Sequence, residues 1–194
     1  MLETVRVWGQ AISPFCSSCV TAHVASEPWQ LDAYVRLRSA IFADEQRLFD
    51  GSDADEHDAT ATPIVAVAHM GGMPDEVIGV VRIYPAARGT WYGGRLGVSP
   101  QYRSRRVVGT SLIVAAVSTA HAWGCRRFLA TIQIQNVRYF EQHRFRTIDA
   151  VEVCGQPHHL MEADLDAYAP VAALPSAPVD SEFAGLLFRR SRAA

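Results

Sequence analysis

Three arginines crowd one short turn. Arg103, Arg105 and Arg106 stand between a run closed by Ser99-Pro100 and the apolar stretch that opens at Val107. The first turn of a helix leaves backbone N–H groups without partners, and its dipole favours an anion there. Guanidinium forks beside it add charge-assisted contacts to phosphate oxygens. Ser104, Val107, Val108 and Thr110 complete the turn, and Gly109 lets a bulky ligand approach the backbone. These features predict a bound pyrophosphate; a solvated arginine cluster on a loop is the alternative. A second chemistry-bearing pattern is Cys16-x-x-Cys19. A zinc site needs about four Cys or His ligands and no second close pair follows, so no metal is expected, and the pair reads as ordinary small residues.

Positioning the turn requires a strand before it and a helix after it. Trp91 to Val98 reads as that strand and Val107 to Trp123 as an amphipathic helix, with Val108, Leu112, Ala115, Ala116 and Thr119 facing inward and Gly124 as its cap. Upstream, Val20 to Ala25 reads as a strand, and Trp29 to Leu48 has helical spacing after a Glu27-Pro28 entry. Pro63 to Met70 and Glu76 to Tyr84, rich in Val and Ile around a glycine turn, form a hairpin signal. Between helix and hairpin lies an acidic loop, Asp50, Asp53, Asp55, Glu56 and Asp58, read as solvated. Downstream, Phe128 to Ile134 is a strand, Asn136 to His143 a short helix, and Ile148 to Val153 and His159 to Leu165 two closing strands. The alternation predicts an α/β (α+β) domain with a mixed sheet covered by helices on both faces.

The bulk numbers fit this. The chain has 194 residues, 49% apolar and 20% charged, with net charge −2. No field favours nucleic acid, no run is long enough to span a bilayer, and no signal-peptide core opens the chain. A cytoplasmic protein with neither nucleic-acid nor membrane partners is expected. All eighteen basic residues are Arg, which removes Lys from the catalytic candidates.

The stretch from Arg95 to Ile113 resembles the acyl-CoA-binding motif of the GCN5-related N-acetyltransferases (GNAT), whose turn reads Gln/Arg-x-x-Gly-x-Gly/Ala. The matching positions here are Ser104 to Gly109; the last glycine is kept, while Ser104 and Val107 depart from the pattern. The resemblance implies a mostly antiparallel sheet of about six to seven strands. It also implies acetyl-CoA, or another acyl-CoA, as cofactor, with the backbone of Leu96, Gly97 and Val98 along the pantetheine arm. Downstream, Gln133 to Phe145 resembles the family's next segment. By that register Gln133 and Asn136 contact the cofactor. Phe140 falls where the family often has the tyrosine that protonates the leaving thiolate. Tyr139 is the substitute, although on a helix it points about 100° away.

Arg38-x-x-Ile41-Phe42-x-x-Glu45-Gln46 and Gly155-Gln-Pro157-His158-His159-Leu-Met161 resemble a subgroup of these enzymes, most specifically the acetyltransferases of a bacterial nitrogen-starvation cluster encoded beside a nitrilase. The resemblance covers residues 20–168, leaving an irregular arm at 1–19 and an Ala/Pro-rich tail at 169–194 whose end, Phe183 to Arg192, has the composition of a short basic helix. Direct attack by a small-molecule amine needs a base. His158 suits that role near neutral pH, and Glu45 suits it only if burial raises its pKa; a pair with Arg38 is the other reading of Glu45. Arg38, Phe42, Asp58, Arg82 and His159 are the candidate substrate contacts. A homodimer is implied by pairing among relatives. Two other readings stay open: an acyl-homoserine-lactone synthase-like enzyme, and a non-catalytic acyl-CoA-binding partner or sensor.

Overall fold

The computed structural model describes residues 6–7, 10–11, 19–46, 52–153 and 155–171. Two short strands, β1 (Arg6–Val7) and β2 (Gln10–Ala11), pair with each other; they fall within the segment expected to be irregular. The body begins with β3 (Cys19–Val24) and α1 (Pro28–Ser39), followed by a π-helical turn at Ala40–Glu45 and a 3-10 turn at Glu56–Ala59. Then come β4 (Thr62–Met70), β5 (Met73–Ala87), β6 (Thr90–Val98), α2 (Arg106–Ala122), β7 (Arg127–Gln133), α3 (Val137–Gln142), β8 (Phe145–Val153) and β9 (Gln156–Ala163). Seven strands form one sheet in the order β3-β4-β5-β6-β7-β9-β8, antiparallel except for β6 beside β7. The expected order of elements and the helices on both faces are present.

Strand β4 shows why the layers form. Ile64, Ala66 and Ala68 pack into the core beneath α2, while the alternate residues Val65 and Val67 meet Tyr34, Leu31 and Leu37 of α1. A strand buried on both faces needs an unbroken apolar run, and residues 64–68 supply it. Each such side chain removed from water contributes roughly 1.5–3 kcal/mol for the larger residues.

The start of α1 follows from Pro28 in its first turn and from Gln30, whose side-chain oxygen accepts from the Glu27 N–H. A single helix was expected from Trp29 to Leu48. The α-helix instead ends at Ser39 and widens into the π turn, where the Gln46 N–H reaches back to the Ile41 carbonyl. The widening turns three consecutive residues, Ile41, Phe42 and Ala43, into the interior. On α2 the expected inward residues Val108, Leu112, Ala116 and Thr119 are buried and Ala115 is half-buried. Ile113, Val117 and Ala120 are buried as well, because the sheet wraps the helix more widely than one stripe. Gly124, at φ 86°, closes α2 with the Cys125 N–H bonded to the Ala120 carbonyl.

The sheet has one seam. Strands β6 and β7 pair in parallel only from Thr90 to Gly93 against Arg127 to Ala130. Beyond Gly93 they part. On its other side β6 slips register against β5: Val80 faces Gly97 and Arg82 faces Gly94. The extra residue on β6 is a bulge at Arg95 and Leu96, with Arg95 at φ 54°. A non-glycine residue held there costs on the order of 1 kcal/mol and re-aims its side chain.

Candidate active site

The parting of β6 and β7 opens a cleft of about 540 Å³. Its β6 wall is Gly93 to Val98, and its β7 wall includes Thr131 and Gln133. Gly97 permits the π turn to close one side, since a Cβ there would lie 2.8 Å from Ile41 Cδ1. Phe42 and Gln46 of that turn also line the cleft, and His158 of β9 stands across from them.

At one end lies the arginine turn. Arg105 to Val108 lead into α2, and Gly109 is packed so closely that an added Cβ would sit 2.6 Å from the Tyr139 hydroxyl. Arg103 lines the cleft and forms a two-pronged ion pair with Glu45, at 2.6 Å on each prong, while its Nε donates to the Val98 carbonyl. Arg106 and Ser104 are exposed, and Arg105 is half-buried with its guanidinium 6.0 Å from the Tyr102 ring centroid. Val107 is 55% exposed and Val108 is fully buried: the side chain of Val108 belongs to the core, and the turn presents backbone rather than that side chain. Thr110 is half-buried. Gln133 and Asn136 line the same cavity.

Two aromatic neighbours divide. Phe140 is buried and packs edge-on against Phe145. Tyr139 turns its hydroxyl toward Gly109 and, at 3.5 Å, toward Thr110 Oγ1. The same Thr110 oxygen lies 2.9 Å from His143 Nε2, and His143 Nδ1 is 2.8 Å from the Tyr139 carbonyl. A carbonyl only accepts, so Nδ1 carries the proton and Nε2 accepts from Thr110. The hydroxyls and imidazole therefore form a directed chain. His158 follows the same logic. Its Nδ1 donates to the Gln156 carbonyl at 2.8 Å, so in the neutral tautomer Nε2 is the nitrogen that carries the lone pair.

At the other end the acidic loop departs in part from the solvation expected of it: Asp53 and Asp58 are buried and Asp55 half-buried, Glu56 is exposed, and Asp50 lies outside the described residues. Arg38 of α1 grips both oxygens of Asp58 at 2.6 Å and also bonds Asp53. Arg82 of β5 holds both oxygens of Asp55 and shares Asp58 at 2.6 Å. The bulge residue Arg95 bonds the Asp53 carbonyl and Asp55 at 3.0 Å. Three arginines and three aspartates thus tie α1, β5, β6 and the loop together. Burial opposes the charge on Asp58, yet its bonds to Arg38 and the charges of Arg38 and Arg82 outweigh burial and bring its pKa down to about 2. For Arg38 burial is likewise outweighed, by Asp58 and Asp53, and its pKa is raised.

Of the residues singled out in the sequence, the structure brings Phe42, Arg82, Leu96, Gly97, Val98, Arg103, Gly109, Gln133, Asn136, Tyr139, Phe140 and His158 to one cleft. Arg38 and Asp58 lie behind its wall, engaged with each other. His159 is bonded to Thr147 at 3.0 Å and is not among the lining residues. Glu45 pairs with Arg103 rather than Arg38, its side chain is 43% exposed, and the Arg103 bond lowers its pKa; the burial that a base role needs is absent. The sequence reading missed a wall of stacked rings: His57 on Tyr84 at 4.4 Å and Tyr84 beside Tyr92 at 5.9 Å. Tyr84 and Tyr92 are cross-strand partners, a pairing visible only once the turn at Arg88-Gly89 fixes the register. Cys16 of the Cys-x-x-Cys pair lies outside the described residues, as does the expected basic helix near the end of the chain.

Residues 26–145 match the model of the acetyltransferase (GNAT) family. No curated protein matches the sequence. Among solved structures the chain is similar to a proposed N-acetyltransferase from Lactobacillus plantarum (22% identity, TM-score 0.65, covering 76% of this chain and 99% of that one). It is also similar to Escherichia coli ElaA (23%, TM-score 0.60, 75% and 98%). A third is a chimeric spermidine N-acetyltransferase SpeG from Vibrio cholerae and hSSAT (14%, TM-score 0.55, 77% and 97%). At these identities the likenesses speak for the fold.

Proposed function

The chain belongs to the GNAT acetyltransferase family, and from that premise we propose that it transfers an acetyl group from acetyl-CoA to the amine of a small molecule by direct attack in the cleft between β6 and β7. The observation that carries the reading is the seam itself, which leads from the N-terminus of α2, past the backbone of Leu96, Gly97 and Val98, to His158. The chemistry suits the cofactor: a helix start with Arg103 at the cleft and Arg105 and Arg106 beside it for the pyrophosphate, an extended strand without a β7 partner for the pantetheine amides, and Gln133 and Asn136 in the same cleft.

When bound, acetyl-CoA supplies the activated thioester. The chain supplies position and proton movement. His158 Nε2 takes the proton that the amine loses as the N–C bond forms, and the Tyr139 hydroxyl gives a proton to the sulfur as the C–S bond breaks. Thr110 and His143 orient that phenol. Phe140, where a tyrosine was sought, closes the core behind it. Glu45 holds Arg103 in the free protein. We assign one catalytic unit to residues 20–168, with residues 1–19 as an arm and 169–194 as a tail. The Ile41-Phe42 and His158-His159 phrases support kinship with the acetyltransferases of the nitrogen-starvation cluster, which gene neighbours would test; a cytoplasmic setting and a homodimer are proposed beside it, open to localisation and sedimentation tests.

The test is calorimetry with acetyl-CoA followed by thiol release over a panel of amines. Binding with turnover is expected, and His158→Ala and Tyr139→Phe should each lower turnover about 10²-fold or more without weakening acetyl-CoA binding. Binding without turnover on any amine would favour a sensor, and undiminished rates in either variant would remove that residue from the mechanism.

A further inference from the structure

The acceptor end of the cleft has an unexpected charge. An ammonium substrate would call for a free carboxylate, yet Asp55 is the single acidic side chain among the described residues lining the cavity, and Arg82 and Arg95 already hold it. Asp53 and Asp58 are sealed behind the wall on Arg38, Arg82 and Arg95. Two guanidinium groups line the same region. Arg82, with its side chain only 3% exposed, also keeps a buried Nε–H without a hydrogen-bond partner. That nitrogen lies 3.7 Å from the point where Gly94 would place a Cβ, so no side chain of this cleft-lining residue stands against it.

The balance at Arg95 points the same way. Burial and the neighbouring charges of Arg82 and Arg38 lower its pKa, and Asp55 and Asp53 do not make up the difference. Burial is the first of these causes, and a hydrogen-bond acceptor or carboxylate placed beside Arg95 would offset its lost solvation. Beside the arginines stands the stacked wall of His57, Tyr84 and Tyr92, an apolar bed with phenolic edges, suited to a side chain larger than a methyl group.

Resting on the acetyl-transfer reading, we propose that the acceptor is an amine that carries its own carboxylate, of the amino-acid class, with the carboxylate received on the Arg82–Arg95 side and the side chain laid on the His57–Tyr84–Tyr92 wall. The proton that the amine loses passes to His158. A polyamine has the opposite charge pattern and is the acceptor class this site rejects.

The experiment begins with unmodified protein and adds one variant. Thiol release with acetyl-CoA is measured for matched pairs that differ by a carboxylate, namely tyrosine and tyramine, histidine and histamine, lysine and cadaverine, with spermidine alongside. The carboxylate-bearing members should show kcat/KM at least tenfold higher as a group, and Arg95→Gln should narrow that gap while acetyl-CoA affinity holds. Equal or better turnover of the decarboxylated members or of spermidine would overturn the inference, as would turnover of neither series; acetyl-CoA binding would then still stand. Failure to bind acetyl-CoA would instead overturn the reading beneath it.

Discussion

Two arginine clusters flank one cleft, and burial sets them to opposite tasks. In the wall, Arg38 and Arg82 are almost wholly enclosed and each grips aspartates through both nitrogens of its fork. At the turn, Arg103 and Arg106 are exposed, and the Glu45 partner of Arg103 is held in water. The first cluster spends its charge within the fold, fixing where β5, β6 and the 53–58 loop stand. The second keeps its charge at the surface, available to a ligand. The same side chain is architecture in one place and recognition in the other, and the number of enclosed carboxylates decides which.

Breaking the wall should have the largest effect. Asp58→Ala removes the carboxylate shared by Arg38 and Arg82 and leaves buried cations uncompensated, at a cost of about 3–5 kcal/mol. Thermal unfolding should show a fall in Tm of about 10 °C or more. The pH profile carries the same signature. Because the folded pKa of Asp58 lies near 2, below its ordinary 3.8, its contribution is fully present above about pH 4 and is lost as pH falls through 2. Acid unfolding of the Asp58 variant should lack that part of the slope.

An intermediate effect is expected at the turn. Gly109→Val drives a side chain into the Tyr139 hydroxyl and into the approach to the helix start. Acetyl-CoA affinity should fall at least tenfold, about 1.4 kcal/mol, with a stability loss of about 1–3 kcal/mol. Combining it with Tyr139→Phe, which vacates that space, should recover part of the stability in a double-mutant comparison. Additive losses would show that the two groups do not meet.

The smallest change sharpens the contrast most. Glu45→Gln should alter stability by less than about 1 kcal/mol, because the Arg103 pair is exposed. It should raise acetyl-CoA affinity by freeing Arg103. A large loss of turnover with unchanged binding would restore Glu45 as a base and blur the division between the clusters.

The course of the chain was legible wherever local pattern suffices. The Val107 to Trp123 periodicity, the Gly124 cap and the strand before the arginine turn need only neighbours in sequence, and the structure places them within a residue or two. The wide turn at Ala40, the bulge at Arg95 and the Tyr84–Tyr92 pair were not legible. The pair and the bulge depend on the register between β5 and β6, where one residue of slip would move the side chains elsewhere, and the wide turn packs against Gly97 of β6, far off in sequence. The acidic loop misled for a related reason. Charge in a loop reads as solvation until three arginines from α1, β5 and β6 converge on it, a juxtaposition no local window contains. Glu45 failed as a buried base because its partner comes from a turn 58 residues away.

The seam between β6 and β7 bears on inheritance. From Gly94 to Val98 the edge of β6 that faces the cleft is made of main-chain N–H and C=O groups, which every residue except proline supplies alike. Substitution can redraw the lining of the slot without erasing its polar margin. A margin written in backbone tolerates such change one residue at a time, whereas a wall written in paired arginines and aspartates must change several letters together or not at all.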